Sequence, residues 1–300
     1  MSRLGYACLN LSTDFSTNRG MIRRTFMDRG IEYASQLALL NARDLVEIIK
    51  WNHKNDIQVY RMSSGIFPWM SEYELSDLPD YAKISTILLG AGNLAKKYNQ
   101  RLSFHPGPYN QLASTRPDVV LKTIKELNQH SEIMDLLNLP KSHMSKINIH
   151  IGAAYGDKEA SMIRWCNEFN NLDQGTQQRL VVENDDKPNM YTVQDLYDGV
   201  YKKINVPITF DYLHHFCNPG KLSEKDALEL AISTWDTKPC THYSASRKLN
   251  EDETSKLLAH ADYVYDEIKD YGNDIDIVVE AKAKDLAIFK YRKDYKLILS

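Results

Sequence analysis

The sequence predicts an α/β protein that folds as a single (β/α)8 or TIM barrel, with residues 1–300 in one domain. Short β-branched or aromatic runs alternate with longer stretches of helical periodicity, and the strand comes first in each pair. Eight such units give about 37 residues each, which is enough for a strand, a helix and two loops. Because no Gly/Ser-rich linker, low-complexity tract or charge block divides the chain, one barrel is favoured over two smaller domains.

The predicted strands are rich in β-branched and aromatic residues. They are RLGYACLNL (3–11), IQVYRMSS (57–64), RLSFHPG (101–107), KINIHIG (146–152), RLVVEND (179–185), PITFDYLHH (207–215), PCTHYS (239–244) and IDIVVEAK (275–282). The predicted helices carry apolar residues near i, i+3, i+4 and i+7. They cover 42–55, 82–99, 118–137, 158–172, 192–203, 223–235 and 250–272.

A doubly wound open sheet is the competing α/β arrangement. It normally carries a glycine-rich phosphate turn after an early strand, and the sequence has neither GxGxxG nor GxxxxGK[ST]. The segment GAGNLA at 90–95 falls inside a predicted helix, where small residues allow the helix to approach the sheet closely. The barrel is therefore the preferred prediction.

Charge and apolar patterning limit the classes of protein to consider. The net charge of −3 argues against a broadly basic nucleic-acid coat but leaves room for a local basic cleft. No apolar run approaches the roughly 20 residues that span a bilayer, and the first residues lack the apolar core of a signal peptide. We expect no membrane partner and an intracellular location, with nuclear and cytoplasmic placement both open. The four widely spaced cysteines are expected to be reduced thiols.

Imidazoles and carboxylates collect at the carboxyl ends of the predicted strands, where the active site of a barrel lies. The nitrogen and oxygen ligands among them are His105, His150, Glu183, Asp211, His214, His242 and Glu280. So many ionisable groups share one pocket only if something neutralises them, and this set without a thiolate suits Zn²⁺, Mn²⁺ or Fe²⁺. Two or three neighbouring ions would use the whole set and would hydrolyse phosphate esters by generating hydroxide.

Several segments carry a resemblance to a known family. They are RLGYACLN (3–10), YRMSS (60–64), LSFHPG (102–107), VENDD (182–186), FDYLHH (210–215), HADY (260–263) and VEAKAKD (279–285). In this order they resemble UV damage endonuclease, a DNA repair family of xylose-isomerase-like TIM barrels related to endonuclease IV. The resemblance covers essentially the whole chain.

The resemblance implies an activity and a set of site residues. The family incises the phosphodiester immediately 5′ of a UV photoproduct, a cyclobutane pyrimidine dimer or a 6-4 photoproduct, and leaves a 3′-hydroxyl and a 5′-phosphate. Its divalent ions are often assigned as Mn²⁺, with Zn²⁺, Mg²⁺ and Co²⁺ as alternatives. By matched motif the implied ligands are His105, His150, Glu183, Asp211, His214, His242, His260 and Glu280. Tyr6 and Tyr109 are implied to contact the lesion, with Asn10 as a neighbouring site residue.

Three positions depart from the family pattern. Pro108 stands in HPGPY where relatives commonly carry glutamine, and Gln111 lies close by but offset. Glu72 replaces a histidine ligand in PWMSEY, and its carboxylate could bind Mn²⁺ or Zn²⁺ in that histidine's place. Cys240 replaces a lysine that is reported to be carboxylated in some relatives, so a bridging carbamate is excluded at that position.

The leading hypothesis is a metal-dependent endonuclease, acting as a monomer on UV-damaged double-stranded DNA with two or three bound ions. Its catalytic residues are predicted to be Glu183, Asp211, His242 and Glu280. Rim lysines, Lys187 and Lys282 among them, are candidates for contacts to flanking phosphates. Two alternatives stay open: a metal-dependent sugar isomerase or epimerase of the same barrel superfamily, and a non-catalytic lesion-binding protein.

Overall fold

The computed structural model describes residues 2–295 and contains eight strands, each in the place where the sequence predicts one. They are β1 (Arg3–Ala7), β2 (Val59–Arg61), β3 (Arg101–Ser103), β4 (Ile147–Ile149), β5 (Leu180–Glu183), β6 (Ile208–Thr209), β7 (Cys240–Tyr243) and β8 (Asp276–Val279). All strand pairs in the two sheets are parallel. The predicted α/β class is therefore confirmed.

The strands form two sheets. One has the order β3-β2-β1-β8-β7 and the other the order β4-β5-β6. Single parallel bridges join them, Phe104 to Ile147 beside β3 and β4, and Asp211 to His242 beside β6 and β7. We call these two places the seams. The continuous eight-strand ladder of a closed barrel is thus not formed, because Pro106 lacks an N–H that could extend β3 and β6 gives way to a helix.

Helices follow the strands. They are α1 (Arg23–Lys54), α2 (Tyr81–Lys97), α3 (Pro117–Leu136), α4 (Lys158–Phe169), α5 (Gln174–Gln177), α6 (Val193–Leu196), α7 (Lys202–Ile204), α8 (Tyr212–Cys217), α9 (Glu224–Ile232), α10 (Arg247–Asn250) and α11 (Asp285–Asp294). A π-helical turn, Tyr197–Tyr201, joins α6 to α7, and short 3-10 helices span Met70–Glu72, Leu75–Asp77 and His143–Ser145. None of the helices within residues 2–295 is both long enough and apolar enough to cross a bilayer.

The predicted helix over 250–272 is wrong. This segment is irregular apart from its first residue. Its backbone pairs with distant loops, since the Ala261 amide donates to the Ala245 carbonyl (2.9 Å) and the Lys282 amide donates to the Ala261 carbonyl (3.0 Å). Those hydrogen bonds replace the ones that a helix would make within itself. Its buried apolar residues, Ala261, Val264 and Ile268, keep a helix-like spacing of three and four residues without forming a helix.

Helix α2 packs tightly through one of its two glycines. A Cβ built on Gly92 would lie 1.7 Å from the Leu137 carbonyl oxygen, whereas one built on Gly90 meets nothing within 4 Å. Only a glycine at 92 allows the end of α3 to approach this closely. The segment GAGNLA thus has a packing role at Gly92, but the close approach is to the end of α3 and not, as predicted, to the sheet.

Candidate metal centre

Glu183 lies at the centre of the cluster of strand-end side chains. It ends β5, and its side chain is 1% exposed. Its Oε2 lies 3.2 Å from His105 Nε2 and 3.0 Å from His242 Nδ1. Its Oε1 lies 3.3 Å from His214 Nδ1 and 3.8 Å from His150 Nε2. One carboxylate from β5 thus faces imidazoles that come from both sheets.

The cluster contains three groups whose ligand atoms lie within 4.8 Å of one another, and each could hold a metal ion. Group 1 is His105, His150 and Glu183; group 2 is Glu183, Asp211 and His214; group 3 is Asp211, His242 and Glu280. Neighbouring groups share a carboxylate, so the three are contiguous. Together the three groups contain the seven ligands that are predicted from the ends of the strands.

Local structure fixes the ligands that follow β6. The predicted strand over 207–215 ends early, and Asp211 becomes the N-cap of α8, where its Oδ1 accepts from the His214 amide (2.8 Å). Capping satisfies an unpaired amide of the first helical turn. It also turns His214 back toward Glu183, so one short helix supplies two adjacent ligands.

The rings of two site histidines are anchored by hydrogen bonds to backbone carbonyls. The Nδ1–H of His105 donates to the Pro106 carbonyl (3.1 Å), and the Nδ1–H of His214 donates to the Asn184 carbonyl (2.9 Å). A carbonyl oxygen only accepts, so the proton sits on Nδ1 and Nε2 is available as a ligand. Histidines that bind metals usually anchor their second nitrogen in this way.

Burial and neighbouring charges shift the carboxyl groups in opposite directions. Burial raises the pKa of Asp211 to about 7, and the nearby carboxylates of Glu183 and Glu280 act in the same direction. Burial also disfavours ionised Glu280, but the Arg61 guanidinium pairs with it and holds its pKa well below the ordinary range. Imidazoles do the same for Glu183, so two carboxylates are ionised while Asp211 titrates near neutrality.

The basic groups also titrate abnormally. Burial lowers the pKa of His150, but the carboxylates of Glu183 and Asp185 outweigh it and raise that pKa to about 9. Burial lowers the pKa of Lys146 to about 8, and burial together with the Lys146 charge lowers the pKa of His242 to about 3. Shifts of this size concentrate at functional sites.

The donor set fits divalent cations. Asp211 Oδ2 is buried and has no hydrogen-bond partner within residues 2–295. A buried carboxylate oxygen without a partner costs free energy, and coordination of a cation would satisfy it. Imidazole and carboxylate donors without a thiolate suit Mn²⁺ and Zn²⁺, and the shared carboxylates suit ions that lie side by side.

His260 lies at the edge of this cluster and belongs to none of the three groups. Its Nδ1–H donates to the Glu280 carbonyl (3.0 Å), and the same nitrogen lies 3.7 Å from Glu280 Oε2. The structure therefore places His260 beside Glu280, and its role as a ligand, which the resemblance implies, stays a prediction. Periodicity gave no signal for it, because its segment carries a helical pattern without forming a helix.

Glu72 is not brought into the cluster. It closes the 3-10 helix Met70–Glu72, its side chain is exposed, and the groups found among the described residues do not include it. Its predicted role as a substitute ligand needs correction for this reason. The segment is held against α3 instead, where Gln129 Nε2 donates to the Met70 carbonyl (2.8 Å) and to the Tyr73 carbonyl (2.7 Å).

Tyr6 is also misplaced by the sequence prediction. It is 0% exposed, because it points into the core, where its hydroxyl donates to Asn52 Oδ1 (2.8 Å). The same hydroxyl accepts from Asn10 Nδ2 (2.9 Å), and Asn10 is buried as well. Neither side chain reaches the surface, so the predicted contact of Tyr6 with a lesion needs correction. Asn10 is a partner of this buried tyrosine.

Tyr109, one of the predicted lesion contacts, lies on the surface. Its side chain is 88% exposed on the loop after β3. This loop borders a cavity of about 260 Å³ that is lined by Gln111, His150, Asp185 and Lys187 among others. The cavity thus joins the loop of Tyr109 to group 1. The remaining predicted contact, Lys282, is exposed on the loop after β8.

Sequence reasoning assigned no role to four residues that contact the cluster, although Asp185 was noted at the end of its strand. They are Arg61, Lys146, Asn148 and Asp185. Arg61 pairs with Glu280, and Asn148 donates to Glu183 Oε2. Strand alternation could have found two of them, because residues at i, i+2 and i+4 of KINIHIG share one face with His150.

Comparison with known proteins agrees with this geometry. The family model UV-endonuclease UvdE matches residues 2–298. A UV-damage endonuclease of Schizosaccharomyces pombe is 34% identical over 98% of this chain, and a UV DNA damage endonuclease of Clostridium perfringens is 31% identical over 96%. The chain spans 51% of the first relative's length and 69% of the second's.

Solved structures agree as well. The crystal structure of SacUVDE superposes with a TM-score of 0.86 at 29% identity and covers 99% of both chains. Endonuclease IV from Thermus thermophilus superposes with a TM-score of 0.61 at 13% identity, covering 99% of this chain and 100% of its own, which shows a shared fold. The predicted family and its enzyme class, a DNA endonuclease, are confirmed, and the chain belongs to the UV-endonuclease UvdE family.

Proposed function

We propose that this chain is a metal-dependent endonuclease that incises UV-damaged double-stranded DNA. The cut falls immediately 5′ of the photoproduct and leaves a 3′-hydroxyl and a 5′-phosphate. The observation that carries the proposal is the contiguous set of three candidate ion groups at the carboxyl ends of the strands, in a chain of the UvdE family. Such a set of ligands suits phosphodiester hydrolysis without a protein nucleophile.

We further propose that the two sheets close into one (β/α)8 barrel over residues 1–300. We also propose that the protein acts as a monomer. Backbone hydrogen bonds support closure at both seams. The Asn148 amide donates to the Phe104 carbonyl (3.0 Å), and the His242 amide donates to the Phe210 carbonyl (2.9 Å). Closure would bring the ligands of both sheets together at the carboxyl-terminal end of the barrel.

In this proposal two or three divalent ions, Mn²⁺ before Zn²⁺, Mg²⁺ or Co²⁺, supply the Lewis acidity for hydrolysis when bound. The ligands are the seven residues of groups 1 to 3, with His260 beside Glu280 as the eighth. Within the set, we assign the catalytic role to Glu183, Asp211, His242 and Glu280. Arg61 holds the Glu280 carboxylate at the rim of the strands.

Lesion recognition falls to the loop after β3. A photoproduct stacks and pairs poorly, so its extrusion from the duplex costs less than that of sound bases. The exposed ring of Tyr109 would stack in the resulting gap. Gln111, which accepts from the Tyr155 hydroxyl (3.1 Å), would contact the extruded bases beside the cavity. Lys187 and Lys282 would contact phosphates on either side.

The test is a nicking assay on a duplex that carries one defined thymine dimer. With Mn²⁺ we expect a single cut 5′ of the dimer, a product that a polymerase extends, and no cut in EDTA or in the undamaged duplex. His214→Ala should lower the rate by about 100-fold or more, since loss of a ligand exceeds the effect of outer-shell changes. His143→Ala is the matched control, because His143 pairs with Asp236 outside the cluster.

Two results would overturn the proposal. Tight lesion binding with bound metal but no incision across several metals would identify a non-catalytic lesion-binding protein. Turnover of a sugar without incision would identify an isomerase or epimerase. Solved epimerases share this fold at 15% identity or less, and that similarity by itself does not support their activity here.

A further inference from the structure

His242 is anchored differently from His105 and His214. His105 and His214 engage a backbone carbonyl through Nδ1 and leave Nε2 as the ligand nitrogen. His242 has its Nε2 2.9 Å from Lys146 Nζ and turns Nδ1 toward the carboxylates. The contact that anchors the His242 ring is therefore the one between its Nε2 and Lys146 Nζ.

Lys146 is unusual in its burial. The residue directly precedes β4. Its side chain is 0% exposed and points between the sheets. Its Nζ lies 3.2 Å from Thr209 Oγ1, 3.1 Å from the Cys240 carbonyl and 2.9 Å from His242 Nε2. A lysine is almost never fully buried unless it is paired, because desolvation of the ammonium is costly.

The surroundings do not need a cation for packing. A small apolar cluster that includes Ala7, Val59, Cys240 and Val278 fills the adjacent interior between the strands. An apolar side chain of the same length would fill this space, so the head group of Lys146 is explained by its three polar contacts. Of these contacts, the one to His242 leads to the ligand cluster.

We propose that Lys146 is a positioning residue that holds the His242 ring with Nδ1 directed at Glu183 and Glu280. In this orientation Nδ1 lies 3.0 Å from Glu183 Oε2 and 3.3 Å from Glu280 Oε1, and it completes group 3 with Asp211. In the metal-free site an ammonium donates to Nε2, and the proton on Nδ1 faces the carboxylates. A metal ion on Nδ1 requires the ring proton on Nε2, and this Nε2–H then donates to Lys146 as an amine. The inference rests on the proposed metal site.

The test replaces Lys146 with methionine, which has a similar length and no hydrogen-bonding head. We expect the metal-free variant to fold with a Tm close to that of the wild type, because loss of the desolvation cost of the ammonium offsets the cost of leaving its polar partners unsatisfied. One Mn²⁺ should bind about 10- to 100-fold more weakly, as for other outer-shell changes. Ions in groups 1 and 2, which do not include His242, should bind as in the wild type.

The readouts are elemental analysis after dialysis, Mn²⁺ titration by electron paramagnetic resonance, and NMR of ¹⁵N-labelled histidine with Zn²⁺. In the wild type, NMR should show His242 bound through Nδ1. In the variant, that signal should disappear or move to Nε2. Binding through Nε2 in the wild type, or unchanged ion number and affinity in Lys146→Met, would overturn the inference.

A double-mutant cycle separates positioning from general support of the fold. If Lys146 acts through His242, Lys146→Met should have no further effect on Mn²⁺ binding in a His242→Ala background. Additive losses would contradict the inference. If Lys146→Met does not fold, Lys146→Gln, whose side chain is one bond shorter and remains polar, replaces it in the same cycle.

Failure of this inference is distinguishable from failure of the proposed function. Every readout above reports metal binding and none requires DNA. Wild-type protein that binds Mn²⁺ through His242 Nδ1 but does not nick damaged DNA refutes the endonuclease and leaves the role of Lys146 intact. Wild-type nicking with unaltered metal binding in both Lys146 variants refutes the role of Lys146 alone.

Discussion

Tyr109 and Tyr6 should respond in opposite ways to mutation, although the family resemblance implies the same role for both. Tyr109→Ala removes a ring that is 88% exposed, so stability should stay within about 0.5 kcal/mol of the wild type. If the ring stacks on unstacked bases, its loss should cost about 1–3 kcal/mol of binding. That corresponds to a roughly 5- to 150-fold weaker Kd for dimer-containing DNA.

Tyr6→Phe removes a hydroxyl that makes two buried hydrogen bonds, to Asn52 Oδ1 and from Asn10 Nδ2. Leaving such partners unsatisfied costs about 1–3 kcal/mol. We therefore expect a lower unfolding midpoint in urea at an unchanged m value, while the folded variant binds the lesion as well as the wild type does.

The assay is fluorescence anisotropy in EDTA, which prevents incision, with one duplex that carries a central dimer and the same duplex undamaged. Tyr109→Phe is the matched control and should restore the preference for the dimer, because it keeps the aromatic face. Two outcomes would refute the reasoning. One is Tyr109→Ala with an unchanged preference, and the other is Tyr6→Phe with weaker lesion binding at unchanged stability.

Three further predictions follow from the structure. Gly92→Ala should destabilise the fold by about 1–3 kcal/mol or more through its clash with a carbonyl, while Gly90→Ala should stabilise it by about 0.4–1 kcal/mol; equal urea midpoints would contradict the packing. Mn²⁺ affinity in calorimetry should rise about tenfold per pH unit or more from pH 7 to 9, since His150 with a pKa of about 9 must lose its proton to bind. The rise should steepen below pH 7, where Asp211 with a pKa of about 7 is also protonated, and a flat profile would exclude these groups as ligands. Lys187→Gln should lower the slope of log K against log salt by about 1 for damaged and undamaged DNA alike, and an unchanged slope would remove this lysine from the phosphate contacts.

Strand positions and strand-end chemistry could be predicted from the sequence because both are local. Runs of β-branched residues indicate the strands, and the polar residue that ends each run indicates the position of the ligand cluster. Glu183, His150 and His242 meet in space because parallel strands present their carboxyl ends together. The prediction that these residues lie close together therefore does not require the order of the strands in the sheets.

Other features depend on contacts between distant segments and leave no local signal. The segment over 250–272 has helical periodicity, but its amides and carbonyls pair with other loops. Tyr6 lies in a strand whose side chains alternate between interior and helix layer, and only the position of Asn52 on α1 shows which side it faces. Lys146 carries no motif, and its role depends on the three acceptors that surround it.

The two seams give the ions a mechanical role as well as a chemical one. Group 1 takes His105 from the five-stranded sheet and its other ligands from the three-stranded sheet, while group 3 joins Asp211 to His242 and Glu280 across the opposite seam. A cation in either group would fasten the two halves of the molecule where backbone pairing is reduced to a single bridge. Metal binding and the pairing of the two sheets are then linked, so chelation should speed hydrogen exchange at both seams before it does so elsewhere.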